Sequence, residues 1–355
     1  MTDLAERLLS RTLALVDIAS TSGDEAELLE ALQIPGLLPV QDARDSVRWF
    51  GPPVRRDAPL VVLAAHVDTV PPNGNLPGRR EQDMVIGRGA ADMKGAVAVM
   101  EALAADLAAG AELAVDVGLL FFGREELPIT QSALLPLFER CPSMREVDLV
   151  VVMEPTSNAL EIGCLGNLNA VARFHGRTSH SARPWLGDNA IHAAVQGLAP
   201  VASSVPNDVT VDGLTYREVV SVTTIRGGLA GNVVPDLVEA HVNYRYAPGT
   251  PPERAEASLR AMLPGADLEV VGNAPPGPVN VGDPLVDRLR RSGSLEVRAK
   301  QAWTPVAEFA TIGVSAVNFG PGDPGYAHAD DERIDASALV RSYEVLSAYL
   351  AGGGG

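Results

Sequence analysis

The sequence has little cysteine and no long apolar run. Its 355 residues include only two cysteines, Cys141 and Cys164, too few for a disulfide framework. No stretch of about eighteen apolar residues occurs, which argues against a membrane-spanning helix. The N-terminal segment carries acids early and spaces its apolar residues as an amphipathic helix does, unlike a signal peptide. We therefore expect a cytoplasmic protein that does not associate with membranes.

Basic residues are scarce relative to acidic ones. Lys and Arg number 28 against 45 Asp and Glu, which gives a formal net charge of -17. This charge argues against a nucleic-acid partner, because phosphates require a basic surface. It would also repel an anionic substrate, so that bound metal ions or other local cations would have to attract one. A nucleotide enzyme is weakly supported, since a P-loop and a GxGxxG motif between strand and helix are both missing.

The pattern of apolar residues predicts two domains, as the length also suggests. Residues 60–155 alternate continuous apolar strands with helices, which is typical of a mostly parallel α/β sheet covered by helices. The following residues instead alternate with period two, as half-exposed antiparallel strands do. We predict a catalytic α/β domain of residues 1–166 and 279–355, interrupted by a smaller α+β domain of residues 167–278.

Polar side chains follow the predicted buried strands at their carboxyl ends. They are His66 and Asp68 after the first strand, Glu125 and Glu126 after the second, and Glu154 after the third. Ligands of open α/β sheets bind beyond the carboxyl ends of the strands, so we expect these side chains to lie together. Taken singly, a strand-end histidine is more often structural, and an adjacent Glu pair is usually solvated surface. Their shared placement favours a functional site.

Clustered carboxylates repel one another unless a cation lies among them. A further carboxylate, Asp92, begins the next helix beside Gly87, Gly89 and Gly95, and His328 lies in a late glycine-rich loop. Imidazole and carboxylate ligands together suit zinc, and their number allows two ions. The residues therefore predict a metal site.

These motifs resemble those of the co-catalytic zinc aminoacylase and carboxypeptidase family. They are HVDTVP (66–71), GAADMKG (89–95), the Glu pair at 125–126, EPT (154–156) and the late His328. The resemblance covers essentially the whole chain. It implies a zinc-peptidase-like catalytic domain with an inserted ferredoxin-like lid and dimerisation domain. It also implies metal-dependent hydrolysis of amide bonds by a homodimer.

The resemblance implies a role for each residue of the metal site. His66 and Glu154 would bind one Zn²⁺ ion, Glu126 and His328 would bind the second, and Asp92 would bridge the two. Co²⁺ is an alternative occupant of such a site.

Three further residues are implied to be catalytic. Glu125 would act as general base and acid, and Asp68 would orient the imidazole of His66. His180, from the inserted domain of the partner subunit, would donate a hydrogen bond to the oxyanion. An exposed loop histidine without that role is the alternative for His180. The other histidines are interpreted as structural: His175, His192 and His241.

Four segments resemble one branch of the family, which removes the succinyl group from N-succinyl-LL-2,6-diaminopimelate. They are residues 179–194, 225–236, 242–248 and 317–332. The resemblance implies this substrate, with Asn232, Arg245 and Arg183 as substrate-binding residues. For Arg183, a surface ion pair is an equally good interpretation. A substrate with three carboxylates would need selected arginines in so acidic a protein.

Two segments depart from the family pattern. Pro305 and Glu308 stand where the family usually has an acid or serine and an arginine, and residues 163–167 lack the arginine of related branches. The metal ligands are untouched, but other substrates stay open: an N-acylated amino acid, as for acetylornithine deacetylases, or a peptide, as for metal carboxypeptidases and dipeptidases. A non-catalytic binding protein on the same fold is a remote alternative, because every predicted ligand and the base are present.

Overall fold

The structure is a computed structural model that describes residues 3–40 and 46–352. The helices are α1 (Asp3–Val16), α2 (Ala26–Ala31), α3 (Gly95–Ala108), α4 (Leu134–Arg140), α5 (Ala190–Ala202), α6 (Pro252–Met262), α7 (Pro284–Gly293), α8 (Val306–Thr311) and α9 (Ala336–Leu350). The strands are β1 (Leu38–Pro39), β2 (Val47–Gly51), β3 (Leu60–His66), β4 (Arg79–Glu81), β5 (Met84–Ile86), β6 (Asp116–Phe122), β7 (Leu149–Val152), β8 (Leu160–Ile162), β9 (Gly166–His175), β10 (Ser179–His180), β11 (Asn207–Val211), β12 (Leu214–Gly227), β13 (Val233–Val234), β14 (Leu237–Tyr246), β15 (Asp267–Ala274), β16 (Val297–Ala299), β17 (Ala316–Asn318) and β18 (Arg333–Asp335).

The chain forms two compact units. The first consists of Met1–Gly163, Asn280–Arg298 and Thr304–Gly355, and the second of Cys164–Val279 together with Ala299–Trp303. The short segment Ala299–Trp303 thus belongs to the second unit, although the chain has already returned to the first.

A mixed eight-stranded sheet forms the centre of the first unit. Its strand order is β1-β2-β6-β3-β7-β17-β8-β16. The strands β6, β3, β7 and β17 run parallel, whereas β2 and β8 add to them in the antiparallel direction. Every residue of β3 and β6 is buried, which explains their continuous apolar sequences. The predicted α/β class, with a mostly parallel core, is confirmed.

One face of this sheet packs on a core that includes α4 and α8. Trp49 of β2, Leu120 of β6, Phe138 of α4 and Phe309 of α8 belong to one buried cluster. A second group of helices, α1, α3 and α9, contact one another. The sheet is therefore part of the buried core of the first unit.

The second unit is built on an antiparallel sheet of order β11-β12-β14-β9-β15. Alternate residues of β9 and β14 are buried, as the period-two pattern predicts. Their buried faces pack on α5 and α6 through Phe174, Val242, Leu198 and Leu259. The opposite face of β9 and β14 is partly exposed, which agrees with the predicted α+β arrangement with one open face.

Neither cysteine forms a disulfide, and both side chains are buried. Across residues 3–40 and 46–352, no helix combines the length and the apolar character needed to span a bilayer.

Leu120→Ala should destabilise the first unit by about 2–5 kcal/mol, because truncation of a buried leucine leaves a cavity. Leu120 is fully buried and is the register partner of Trp49. Urea unfolding of the metal-free protein, followed by the fluorescence of buried tryptophan, measures the change. Leu38→Ala is the matched control, since Leu38 lies in the same sheet and is 56% exposed. Equal midpoint shifts for the two variants would contradict the assignment of this core.

Candidate metal centre

The first unit brings the carboxyl ends of three parallel strands to one edge. His66 is the last residue of β3, Glu125 and Glu126 follow β6, and Glu154 follows β7. In the register, His66 lies opposite Phe122, and Ala64 lies opposite Val152. Neighbouring parallel strands that end at the same level place the residues after them close together, so these side chains converge.

The histidine and carboxylate side chains lie close enough to share a cation. Ligand atoms of His66, Asp92 and Glu126 all lie within 4.8 Å of one another. His66 Nε2 is 3.0 Å from Asp92 Oδ1 and 4.0 Å from Glu154 Oε1. His328 Nε2 is 2.7 Å from Glu126 Oε1 and 3.6 Å from Asp92 Oδ2. The two oxygens of Asp92 therefore face different histidines.

The electrostatics of the cluster favour a positive ion. Burial and the neighbouring charge of Glu154 raise the pKa of Glu125 well above its ordinary value. Burial lowers the pKa of His66, but the hydrogen bond with Asp92 and the surrounding acids outweigh it and leave that pKa well above the ordinary value. A divalent cation would relieve this repulsion. The donor set of imidazole and carboxylate groups thus fits such an ion.

Asp68 fixes the turn that carries the two glutamates. Its carboxylate is fully buried and accepts hydrogen bonds from Ser22 Oγ (2.7 Å), Glu125 N (3.1 Å) and Glu126 N (3.2 Å). His66 Nδ1 lies 3.0 Å from the main-chain oxygen of Asp68 and 3.7 Å from its carboxylate. The carboxylate of Asp68 therefore holds the Glu125–Glu126 turn, whereas its main-chain oxygen, rather than the predicted carboxylate, lies within hydrogen-bond distance of His66 Nδ1.

Asp92 lies in an irregular turn, Ala90–Lys94, between β5 and α3. Gly89 opens the turn with φ of +81°, and a Cβ there would come within 2.7 Å of the Thr69 side chain. Asp92 and Met93 have non-helical dihedral angles, and the peptide bond between them is cis. The glycine is needed because both its conformation and its surroundings exclude a side chain.

Sequence reasoning did not identify two buried carboxylates that hold this centre together. Glu332 accepts hydrogen bonds from the N–H groups of Gly89, Ala91 and Asp92. Glu25 accepts hydrogen bonds from Ser46 Oγ and from the N–H of Arg124. Their partners are mostly main-chain amides of remote segments, so a local motif could not have revealed them.

His328 is half-exposed and adopts a left-handed conformation with φ of +63°. Its hydrogen bond with Glu126 raises the pKa of the imidazole above the ordinary value. A non-glycine residue in this region of φ is uncommon, and histidine is among the residues that adopt it more readily.

The predicted catalytic His180 and two of the predicted substrate-binding residues, Arg183 and Asn232, cluster in the second unit. His180 of β10 pairs with Val233 of β13. The main chain of Arg183 donates to His180 O (2.7 Å), and that of Ser181 donates to Asn232 O (2.9 Å). His180 Nδ1 accepts a hydrogen bond from Ala182 N (3.0 Å). That acceptor role assigns the imidazole proton of neutral His180 to Nε2.

Arg245 does not lie with these residues. It is near the end of β14, whereas the β10–β13 ribbon adjoins the start of that strand, where Gly176 N donates to Asp236 O. At about 3.3 Å per residue, Leu237 and Arg245 are about 26 Å apart along β14. Arg245 Nε donates to Asn243 Oδ1 (3.0 Å), and Asn243 in turn donates to Asn167 Oδ1 (2.7 Å).

Glu308 is buried rather than presented to a ligand. It lies in α8 between Val306 and Phe309 of the core and is 2% exposed. The hydroxyl of Ser132 donates to its carboxylate. Burial raises the pKa of Glu308 to about 7. The departure from the family pattern at this position therefore alters the core rather than adding an acid to an open surface.

Comparison with solved structures shows where this fold occurs. The aminopeptidase PepT of Bacillus cereus aligns with a TM-score of 0.77 over 98% of both chains, at 19% identity. The YxeP protein of Bacillus subtilis, described as a dinuclear metal-binding peptidase of the M20 family, aligns with a TM-score of 0.69 over 98% of both chains, at 18% identity. At these identities the likeness shows that the chain shares the fold of these proteins.

Sequence comparison gives the family. Residues 62–352 match the model of peptidase family M20/M25/M40. A succinyl-diaminopimelate desuccinylase of Corynebacterium glutamicum is 36% identical, over 96% of this chain and 95% of its own. The DapE protein of Mycobacterium tuberculosis, which carries a provisional assignment to the same activity, is 38% identical over 99% of this chain and 100% of its own. The chain belongs to peptidase family M20/M25/M40, and the predicted family is confirmed.

Glu308→Gln should make the protein more stable at pH 8 by about 3 kcal/mol. The folded-state pKa of about 7 exceeds the ordinary 4.5, so the wild type loses stability as the pH rises through 7. Below pH 4.5 Glu308 is protonated in both states and this contribution is fully present. Urea unfolding at pH 5 and pH 8 measures the difference, which should be small at pH 5. A constant difference at both values would contradict the buried acid.

Proposed function

We propose that the chain hydrolyses N-succinyl-LL-2,6-diaminopimelate to succinate and LL-2,6-diaminopimelate. The observation that carries this substrate is the 36% identity to the C. glutamicum desuccinylase along nearly the whole of both chains. The reaction breaks one amide bond, which is the chemistry of the family. A biosynthetic step on a free amino-acid derivative, with two buried cysteines that form no disulfide, supports a cytoplasmic location.

The proposed centre binds two Zn²⁺ ions, with Co²⁺ as an alternative. His66 and Glu154 would hold one ion, Glu126 and His328 would hold the other, and Asp92 would bridge them. The placement of Asp92 between the two histidines supports the bridging role. When bound, the ions supply Lewis acidity for the amide carbonyl and for water.

Glu125 is the proposed general base and acid. It follows β6 directly before the proposed ligand Glu126, which would place its carboxylate beside the metal ions. Its carboxylate would take a proton from water and pass that proton to the leaving nitrogen. The environment that raises the pKa of Glu125 favours proton uptake, which suits a base that later acts as an acid. Asp68 fixes the turn through its hydrogen bonds to both amides.

His180 is the proposed hydrogen-bond donor to the oxyanion. Its Nδ1 is occupied as an acceptor by the Ala182 amide, so the neutral imidazole carries its proton on Nε2. A donor held in a fixed tautomer can stabilise negative charge that develops on the carbonyl oxygen. The exposure of His180 supports a role toward a ligand rather than in the core.

Three groups of the second unit are proposed to bind the carboxylates of the substrate: Asn232, Arg245 and Arg183. Guanidinium groups suit carboxylates because they offer paired donors in a planar fork. Arg183 is exposed, and Arg245 is oriented by Asn243. In a chain of net charge -17, such local cations would have to offset the overall repulsion of the substrate.

The separation of these groups supports a homodimer formed through the second unit. Arg245 lies near the end of β14, whereas the ribbon that carries His180 adjoins the start of that strand, too far away for one copy to offer both to a small molecule. Two copies could offer them to one site. Within the described residues, β12 pairs only with β14 from Val219 to Gly227, which leaves one strand edge open for a partner. Exposed apolar side chains accompany that edge: Ile191, Val195, Ile225 and Leu229.

A panel of substrates tests the proposed activity. Zinc-reconstituted protein should hydrolyse N-succinyl-LL-2,6-diaminopimelate with a kcat/KM well above that for N-acetylornithine or dipeptides. Glu125→Gln is the control, because it should retain both metal ions and yet lose several orders of magnitude in rate. Turnover of an acetylated amino acid or a dipeptide, with the succinylated compound inert, would contradict the proposed substrate. Full activity of Glu125→Gln would remove Glu125 from its role.

Mixing two inactive variants tests the proposed origin of His180. His180→Ala should lose most activity with its zinc content unchanged. If His180 acts across the dimer, subunit exchange with Glu125→Gln should restore up to about a quarter of wild-type activity, since each hybrid dimer has one complete site. Activity is measured against time after mixing, and each variant mixed with itself is the control. Sustained inactivity of a demonstrated hybrid would show that His180 does not act across the dimer.

A further inference from the structure

Glu332 combines complete burial with an unusual set of hydrogen-bond partners. It is 1% exposed and lies four residues after His328, directly before β18. Its Oε1 accepts from Ala91 N (3.1 Å) and Asp92 N (3.0 Å). Its Oε2 accepts from Gly89 N (2.9 Å) and from Arg88 (3.0 Å). Three of these four donors are main-chain amides of the turn that carries Asp92.

That turn cannot satisfy its own amides in the regular way. Asp92 (φ -122°, ψ 88°) and Met93 (φ -137°, ψ 38°) are not helical, although α3 begins immediately afterwards. The amides of Gly89, Ala91 and Asp92 precede α3 and belong to buried residues, where an unsatisfied N–H is costly, so each of them needs an acceptor. The Glu332 carboxylate supplies these acceptors from outside the turn. It therefore stabilises the conformation in which Asp92 points at both histidines.

The same residue connects two ligands that are remote in sequence. His328 and Glu332 belong to one short loop, in which Glu332 N donates to Ala329 O (3.3 Å). The main chain of Glu332 also accepts from Gly87 N (2.9 Å). The His328 loop is thus tied to the Asp92 turn through both the backbone and the side chain of one residue. Asp92 Oδ2 and His328 Nε2 lie 3.6 Å apart under this restraint.

We propose that Glu332 is a positioning residue that fixes Asp92 relative to His328 and thereby sets the affinity of the site for its metal ions. The proposal rests on the two-metal site described under the proposed function. A merely structural ion pair with Arg88 is the competing explanation. The three amide contacts favour positioning, because they act on the segment of the ligand itself and Arg88 supplies only one contact of four.

Metal titration of the metal-free protein tests this role without using substrate. Co²⁺ binding is followed by its visible absorption, and Zn²⁺ binding by competition with a chelator. Glu332→Gln should weaken metal binding by about 10- to 100-fold and alter the Co²⁺ spectrum, as loss of a residue that orients a ligand does. Whichever way the new amide points, its NH₂ group would face two donors that formerly had an acceptor.

Glu101→Gln is the matched control. Glu101 is also a buried glutamate, 5% exposed, which pairs with Arg11 and accepts from Gln33 N (2.7 Å). This variant removes the same charge from a similar buried ion pair, but Glu101 does not contact the segment of a proposed metal ligand. Its metal affinity should therefore equal that of the wild type. Thermal unfolding of the metal-free proteins shows whether both variants are folded.

Arg88→Gln separates positioning from the ion pair. If the amide contacts matter, this variant keeps metal affinity within a few-fold of the wild type. Wild-type affinity and spectrum in folded Glu332→Gln, or a loss in Arg88→Gln as large as that in Glu332→Gln, would overturn the proposal. If Glu332→Gln does not fold, Glu332→Asp gives the same comparison, since it keeps the charge but is one methylene too short for the amides. Failure to hydrolyse the succinylated substrate would refute the proposed function and leave these metal affinities unchanged.

Discussion

The mutual repulsion of carboxylates at one edge of the sheet is the constraint on which this structure depends. Glu125, Glu126 and Glu154 follow buried parallel strands that leave little freedom of placement, and Asp92 joins them from the turn between β5 and α3. Burial and the neighbouring charge of Glu154 raise the pKa of Glu125, whereas burial lowers the pKa of His66 but the hydrogen bond with Asp92 and the nearby acids outweigh it. The folded chain therefore holds an arrangement that is unfavourable by itself and becomes favourable with cations. A site of this kind binds metal because the fold prevents it from relaxing.

Two different devices prevent that relaxation. The parallel strands β3, β6 and β7 fix His66 and the points at which the segments with the three glutamates begin. Buried carboxylates then fix the irregular turns, with Asp68 binding the amides of the Glu125–Glu126 turn and Glu332 binding those of the Asp92 turn. Acids would thus serve both as the proposed metal ligands and as anchors for the segments that carry them. The two roles differ only in whether the partner is a cation or a row of amides.

Much of this arrangement could be predicted from sequence, and the remainder has a common cause. Continuous apolar strands indicate a parallel sheet. Polar residues that follow these strands, such as His66 and Glu125, then indicate the edge where the site lies, because parallel strands have their carboxyl ends at the same edge. Glu332 and Glu25 escaped prediction since they bind main-chain amides, which any sequence can supply. The burial of Glu308 was equally hidden, because an isolated glutamate in a short helix looks like a surface residue. The assignment of residues 299–303 to the second unit depends on tertiary contacts alone.

The ten-residue length of β14 has a consequence for the enzyme in dilute solution. If one site must take Arg245 and His180 from different chains, an isolated protomer can offer that site only one of the two. Turnover per chain would then fall with dilution, as the equilibrium between one copy and two moves toward the single copy. Turnover would thus depend on protein concentration by mass action, without a separate regulator, because the length of β14 keeps Arg245 away from His180 within one copy.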